Sequence, residues 1–553
     1  MSGFSPHSPD ELYFLALGGA GEIGMNLNLF GYGGKWLMVD LGVTFGDDLT
    51  PGADVVMPDP EFIVEHADDL VGLILTHAHE DHIGAVQYLW PRLRCPIYAT
   101  AFTASVLRRK LAEAGLEEEA KITIVPLGGS LTVGPFDVEY VTLTHSIPEP
   151  NGIVIRTPAG AIFHTGDWKL DPDPMVGPKT DEATLRALGE SGILAMIGDS
   201  TNALRDGSSG SEGDVRTALT ELVGGYDGRV AIACFASNVA RLETVAKVAE
   251  ANGRHTALVG RSMWRIHDAA RENGYLRDVP PFLDDEAASH LPRDKVVLAC
   301  TGSQGEPRAA LTRIATDQHK HLHLEAGDVV IFSSRIIPGN EKSIGRLHNL
   351  LIRKGIDVVT ERDHFVHVSG HPARDELVQM YQWVRPKIAV PVHGEGRHLL
   401  AHARIARDCQ VPQTVVAENG MLVRLAPGDA EIVGEVPTGR LALDGKVLVS
   451  LKTMARSRNK LISNGAIVVT MVVDRDGDID QDPMVSLQGL PVEDDGVLAR
   501  EVALAIRDGV ADLPAGARRE DKRVEEAARR AIRRTIMAEI GKRPAIDIHL
   551  VRI

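Results

Sequence analysis

The segment Thr76-His77-Ala78-His79-Glu80-Asp81-His82 sets four ligand-type side chains within six residues, an HxHxDH cluster. Imidazole and carboxylate donors together suit zinc, and also manganese or iron. So short a segment cannot easily wrap four donors around one ion. Two adjacent ions are therefore expected, each needing further ligands from elsewhere in the chain. His145, Asp167 and His393 each stand at the tip of a predicted strand and are the candidates. An aspartate can serve both ions, one oxygen to each. Such ions lower the pKa of water to roughly 7, which supplies hydroxide near neutral pH. Alone, a histidine on an apolar strand, as at His145, is more often a core residue; beside the cluster, the strand-tip residues rise together as ligands.

Those tips need strands to hold them. LYFLALG (12–18) reads as a strand, and MNLNLF and KWLMVD form a hairpin around GYGG. VGLILT (71–76) is a short buried strand that runs directly into His77. PFDVEYVTLTH ends at His145, the hairpin GIVIRT/AIFHTGD ends at Asp167, and ILAMIGDS carries Asp199 near its end. Loops beyond fixed strand ends are where sites are usually built. From about 211 the pattern becomes alternating helix and strand, with strands RVAIACFAS, TALVG, KVVLACTGS, DVVIFSSR and DVVTE, which predicts a mostly parallel sheet. DELVQMYQWV (375–384) reads as a helix, and KIAVPVHGE as a strand tipped by His393. Residues 424–465 read as linker plus hairpin. The last ~90 residues form a small α+β unit whose helix, near 519–540, aligns Val524, Ala528, Ala531, Ile532 and Ile536 on one face.

The chain has 553 residues, enough for about three or four domains. Its 44% hydrophobic and 24% charged residues exclude a disordered chain. No window approaches the ~18 consecutive apolar residues of a membrane span, and no signal peptide is visible. The four cysteines are scattered, as in a reduced, cytoplasmic protein. The net charge of −17 argues against coating nucleic acid through bulk positive charge, but not against a local basic channel or a metal site that handles phosphate. Gly19-Ala20-Gly21-Glu22-Ile23-Gly24 satisfies GxGxxG, yet a dinucleotide turn must open a helix, and here a hairpin follows. A tight glycine loop beside a neighbouring site is the better reading.

At these residues the sequence resembles the metallo-β-lactamase superfamily. Asp40, the 77–82 cluster, His145 and Asp167 fall where its first four motifs fall. The inserted α/β region and later motifs resemble the β-CASP nucleases, with Asp199 in GDSTN, His371 in HVSGH and His393 in PVHGE. The strings ALGGAGEIGMN, LTHAHEDHIGA, FHTGDWK, TGSQGEP and IPGNE are most similar to the bacterial ribonuclease J family, over essentially the whole chain.

The resemblance implies an α/β fold: a metallo-β-lactamase αββα sandwich (1–205 and 363–450), an inserted β-CASP α/β domain (206–362), and a linker with a small C-terminal α+β domain (451–553). It implies two zinc ions per chain, with Mn2+ or Mg2+ as activating ions. His77, His79, His145 and Asp167 would hold one; Asp81, His82, Asp167 and His393 the other. Asp40 would orient a ligand histidine. Asp199 and His371, with Asp81, would be the catalytic residues, and the sequence leaves open which of Asp199 and His371 is acid and which base. Ser237, Asn238, His367, Val368, Ser369, Gly370 and His371 match the family's pocket for an RNA 5′-phosphate. Histidine at 393, where DNA-directed members tend to carry valine, favours RNA.

The implied activity is hydrolysis of single-stranded RNA by hydroxide activated by two metal ions. It would run 5′→3′ from 5′-monophosphate ends, with endonuclease activity at the same site, in RNA maturation and mRNA decay. The family further suggests homodimers or homotetramers through the C-terminal domain, partners in an RNA-degradation complex, and no membrane association. Asp47 and Asp48 could join a structural cation site. The basic stretch Lys452, Arg456, Arg458 and Lys460 could touch RNA, though such a run is more often a solvated linker. Two other readings compete. A hydrolase of DNA or of a small thioester or lactam would not need the insertion or the HVSGH and PVHGE segments. A non-catalytic RNA-binding subunit would be expected to lack metal ligands, and none is missing here.

Overall fold

A computed structural model describes residues 10–46, 50–492 and 494–553; the pair Asp47 and Asp48 lies outside the described residues. LYFLALG has no charged position, and strand Leu12–Gly18 is buried along its whole length. It sits inside an eight-stranded sheet, between Met421–Ala426 and Leu27–Tyr32. The turn at Gly33-Gly34 closes Leu27–Tyr32 against Lys35–Val39 as the expected antiparallel hairpin. Parallel pairing then adds Leu70–Ile74 and Ile97–Ala99. A seven-stranded sheet runs from Ser130–Val133 through Phe136–Thr142, Asn151–Thr157, Gly160–His164, Ala195–Asp199 and Ile388–Val392 to Gln413–Thr414. The inner faces share one core, in which Leu12, Phe14, Phe30 and Ile74 pack with Val138, Ile153, Ile197 and Val390. Helices Glu182–Ser191, Arg374–Val384 and Gly396–Asp408 cover the outer face of the second sheet through Leu185, Leu377, Met380 and Ile405. Helix Ala101–Glu113 packs beside the strand Ile122–Ile124 of the first sheet. This is the αββα sandwich.

The chain leaves the sandwich after Ala195–Asp199 and returns to it with helix Arg374–Val384 and then strand Ile388–Val392, the parallel neighbour of Ala195–Asp199, with Asp199 opposite Val392. Between them lies an all-parallel five-stranded sheet in the order His255–Val259, Val296–Cys300, Val230–Ala233, Val329–Phe332, Asp357–Val359. The insertion thus leaves Asp199 and His393, nearly two hundred positions apart, at adjacent strand ends.

Buried charges fix the two crossovers. Arg241 and Glu212 are both buried, and the guanidinium donates to both carboxylate oxygens (2.9 and 3.1 Å) and to the carbonyls of Ser333 (3.0 Å) and Val366 (3.1 Å). Lys169 and Asp171 form a second buried pair at 2.7 Å, and Asp171 accepts from the Glu212 amide. Glu376 accepts from Leu170 N, Ser209 N, Ser209 Oγ and Ala373 N, which joins the segment after Asp167 to both crossovers. Removing one partner of a buried pair leaves an uncompensated charge. Arg241→Ala is therefore expected to destabilise the protein by about 3–5 kcal/mol, read as a lower urea midpoint, while Arg241→Met with Glu212→Leu recovers most of the loss.

A second compact unit takes in Leu441–Ile553 with part of Gly46–Asp54. Its three-stranded sheet, in the order Met484–Gln488, Ala466–Val473, Ala545–Arg552, is covered on one face by helices Asp495–Ala511 and Asp521–Ile540 through Val502, Ile506, Val524, Ala528 and Ile532. The hairpin expected in 424–465 is present, with Leu441 opposite Ser450. The basic stretch is not a linker: it lies in helix Leu451–Asn464, which Gly465 terminates at φ +73°. Only Leu451 and Met454 of that helix are buried, too few apolar positions to mark it by periodicity. Among the described residues no helix is long and apolar enough to cross a membrane.

Candidate metal centre

The 77–82 cluster follows the buried strand Leu70–Ile74, and its backbone is clasped on two sides. Asn26 N and Nδ2 both donate to Asp81 O (3.0 Å each), Leu41 N donates to His82 O (2.7 Å) and Val43 N to Glu80 O (3.0 Å). A Cβ on Gly42 would stand 1.6 Å from Asp81 O, so this approach requires glycine. Glu80 points away, half exposed and paired with Lys110. The GxGxxG segment opens no helix; Ala20 pairs with Gly394 and Gly19 O accepts from His393 N at 2.6 Å. It is a backbone brace for His393, whose φ of +52° is a left-handed conformation uncommon for a histidine.

The ligand-type atoms converge in two groups. His77, His79 and His145 form one, and Asp81, His82, Asp167 and His393 the other, with the ligand atoms of each group within 4.8 Å of one another. His79 Nδ1 is 3.1 Å from His77 Nε2 and 3.0 Å from His145 Nε2. Asp167 Oδ2 lies 3.1 Å from His82 Nε2, 3.7 Å from His393 Nε2 and 4.0 Å from His77 Nε2, so one carboxylate faces both groups. Three imidazoles on one side, and two imidazoles with two carboxylates on the other, are a donor set for a pair of divalent cations.

Around these donor groups stand side chains that aim them. Asp40 takes Thr76 N and Oγ1 at 2.8 Å each and His82 Nδ1 at 2.7 Å, which directs His82 Nε2 to the centre. His145 Nδ1 donates to Gly370 O at 2.5 Å, and a Cβ on Gly370 would meet the His145 ring at 2.7 Å. Asp199 Oδ2 bonds His371 Nδ1 at 2.8 Å, while its Oδ1 takes Thr201 N and Oγ1. Thr201 Oγ1 also reaches His393 Nδ1 at 2.8 Å. Asp167, Asp199, His371 and His393 form a third group with cation-holding geometry.

Burial pushes His77 and His145 well below the ordinary imidazole range, reinforced by neighbouring histidines, and brings His79 down to about 4. These three rings are neutral near pH 7, the form that binds metal. Burial also lowers His82 and His393, but Asp167, Asp81 and Asp40 (for His82) and Asp167, Asp199 and Asp81 (for His393) outweigh it and raise both well above the usual value. Burial raises Asp199, yet His371 and His393 outweigh it and hold the carboxyl well below its ordinary range. His371 is raised in turn, the pull of Asp199 and Asp167 exceeding the effect of burial.

Of the residues expected to receive a phosphate, Gly370 and His371 touch this centre, through His145 and Asp199. Asn238 caps helix Val239–Ala251, its side chain accepting from Arg241 N at 2.8 Å, and Arg241 ties that first turn to Val366 O, one residue before His367. His367 Nδ1 is buried without a partner among the described residues. Burial and the nearby cations Arg241, Lys169, Arg335 and Arg205 hold His367 well below its usual range. Ser369 Oγ accepts from Asn202 Nδ2 and His371 N, and the side chain of Val368 packs against Gly210. Spacing does not single out Thr201, Asn202, Asn26 or Glu376; the first two lie in the GDSTN string, Asn26 closes ALGGAGEIGMN, and Glu376 carries no signal.

Four family models match. "Ribonuclease J, beta-CASP domain" covers residues 227–351, "Ribonuclease J C-terminal domain" 453–553, "Beta-lactamase superfamily domain" 49–188, and "Zn-dependent metallo-hydrolase RNA specificity domain" 355–412. The chain is 47% identical over 551 residues to ribonuclease J of Sinorhizobium meliloti, covering 98% of each chain. It is 38% identical over 552 residues to ribonuclease J of Mycolicibacterium smegmatis, covering 99% of this chain and 98% of that one. A crystal structure of a protein of unknown function from Enterococcus faecalis shares the fold at TM-score 0.53 and 17% identity, over 75% of this chain and all of that one.

Proposed function

The chain belongs to the ribonuclease J family and is a metal-dependent ribonuclease; on that premise we propose that it is a two-zinc enzyme that removes nucleotides 5′→3′ from single-stranded RNA, preferring 5′-monophosphate ends. Internal cleavage uses the same site, and the work is RNA maturation and mRNA decay in the cytoplasm. The observation that carries this reading is Asp167 Oδ2, within 4.0 Å of nitrogens from both donor groups. His77, His79 and His145 with Asp167 would hold one ion, and Asp81, His82, Asp167 and His393 the other. When bound, such a pair supplies hydroxide near neutral pH and neutralises the phosphate's non-bridging oxygens.

The chain's own residues do the rest. Asp199 fixes His371 through Nδ1, which leaves Nε2 to protonate the departing 3′ oxygen. Asp199 is in turn held by Thr201 N and Oγ1, so the pair is positioned before substrate arrives. Ser237 and Asn238 at a helix N-terminus, with His367, Val368, Ser369, Gly370 and His371, receive the 5′-phosphate, and the positive surroundings of the unpartnered His367 Nδ1 suit an anion. Each cut then regenerates the end group that the pocket prefers. We divide the chain into a metallo-β-lactamase domain (1–205 and 363–450), a β-CASP domain (206–362) and a C-terminal α+β domain (451–553) that supports homodimers or homotetramers and contacts with a degradation complex. End-labelled RNA tests the reading. A 5′-monophosphate substrate should exceed its triphosphate twin by about 10–100-fold in kcat/KM, the worth of one or two charge-assisted hydrogen bonds. Equal rates would remove the end pocket.

A further inference from the structure

Behind the proton-transfer pair lies a chain of three buried polar side chains that touches neither donor group. Ser200 Oγ is 2.9 Å from His402 Nδ1, and Tyr381 Oη is 2.8 Å from His402 Nε2. All three residues are buried, and Tyr381 packs with Leu377, Met380 and Ile405 in the apolar cluster behind the second sheet. A polar network in such surroundings is costly unless every member is satisfied. Burial brings His402 down to about 4, so its ring is neutral near pH 7, with one nitrogen donating and the other accepting. Ser200 Oγ also donates to Gly198 O at 3.3 Å. One direction therefore satisfies the whole chain: Tyr381 O–H donates to Nε2, Nδ1–H donates to Ser200 Oγ, and Ser200 O–H donates to Gly198 O. The reverse direction would give up the bond to Gly198 and leave the Tyr381 O–H without an acceptor among the described residues.

Each member belongs to a segment that carries a group of the centre. Ser200 follows Asp199 directly at the end of strand Ala195–Asp199. Tyr381 stands in helix Arg374–Val384, which begins just after His371, and His402 in helix Gly396–Asp408, which begins just after His393. The three segments thus meet twice. On the side of the centre, Asp199 Oδ2 bonds His371 Nδ1 and Thr201 Oγ1 reaches His393 Nδ1, both at 2.8 Å. On the side of the core, His402 joins all three. Its ring is set close against the strand, since a Cβ on Gly198 would stand 3.0 Å from His402 Cε1.

We propose that Ser200, His402 and Tyr381 are positioning residues, which bolt the strand end bearing Asp199 to the helices that follow His371 and His393 and so set the Asp199–His371 bond before substrate arrives. This rests on the reading of Asp199 and His371 as the proton-transfer pair. The chemistry of the network favours that role over plain stability. Apolar side chains of similar size would fill the same space, and replacing both partners of a buried hydrogen bond together can be nearly neutral. An apolar filling cannot supply direction. Hydrogen bonds of fixed length decide where the strand end stands, and a displacement of about 1 Å at a reacting group can cost about 10²-fold in rate.

The test compares wild type with the paired variant Tyr381→Phe/His402→Leu, which removes both partners while keeping the core filled, and with His402→Asn, which keeps an N–H donor near the place of Nδ1. The paired variant should keep its urea midpoint and its full metal content, yet lose about 10–100-fold in kcat on 5′-monophosphorylated RNA with KM within about twofold. His402→Asn should recover most of that loss. Added to His371→Ala, the paired substitution should slow the enzyme no further, because it acts through the bond that His371 completes. Wild-type kcat in the paired variant would overturn the proposal. So would a loss of kcat that tracks a lowered urea midpoint or missing metal, or one that multiplies the loss in His371→Ala, since each makes the network a plain support of the fold. His371→Ala as fast as wild type would instead overturn the proton-transfer reading, and the proposal with it.

Discussion

His77→Ala and Asp81→Ala each leave a folded protein whose kcat on 5′-monophosphorylated RNA falls by about four orders of magnitude, the several kcal/mol of transition-state stabilisation that a divalent cation contributes. The two variants strike different donor groups, His77 the three-imidazole side and Asp81 the carboxylate side, so each should also lose metal. Asp40→Ala sets the scale of an indirect effect. Asp40 stands in neither donor group; it orients His82 and pins Thr76, and its loss should cost about 10–100-fold. Circular dichroism and metal content measured beside activity separate a lost ligand from a lost fold. Wild-type activity in His77→Ala or Asp81→Ala would overturn the ligand assignment.

His371→Ala and Asp199→Asn are expected to lower kcat by about 10²–10⁴-fold, the usual contribution of a positioned proton donor, with KM little changed. Because Asp199 acts through the 2.8 Å bond to His371 Nδ1, the double variant should be no slower than the worse single one. Both variants should keep their full metal content. That last readout matters because Asp199 and His371 also form a cation-holding group with Asp167 and His393. Loss of one metal equivalent in His371→Ala would move His371 from proton transfer to coordination.

Much of the centre could be read in the sequence because strands end where their chemistry begins. VGLILT delivers His77, AIFHTGD delivers Asp167 and KIAVPVHGE delivers His393, each as an apolar run followed at once by a polar tip. The hairpin after Gly24 likewise excluded a dinucleotide turn, since its alternation leaves no helix to face a pyrophosphate. Other features are invisible to such patterns. Glu376 looks like a surface residue of an amphipathic helix, yet it is buried and accepts four hydrogen bonds, three of them from two distant segments. Arg241 and Glu212 read as two ordinary helical charges until the fold buries them against each other. Helix Leu451–Asn464 was hidden by its few buried positions. Tertiary partners decide all three, and no local period encodes them.

On the proposed reading, two cations, held by side chains from distant strands, are both needed to cut RNA. The decisive measurement is a zinc titration of protein stripped by a chelator. Activity on 5′-monophosphorylated RNA should be absent at the start and climb to a plateau at two equivalents per chain. Full activity in the stripped protein, or a plateau at one equivalent, would contradict it.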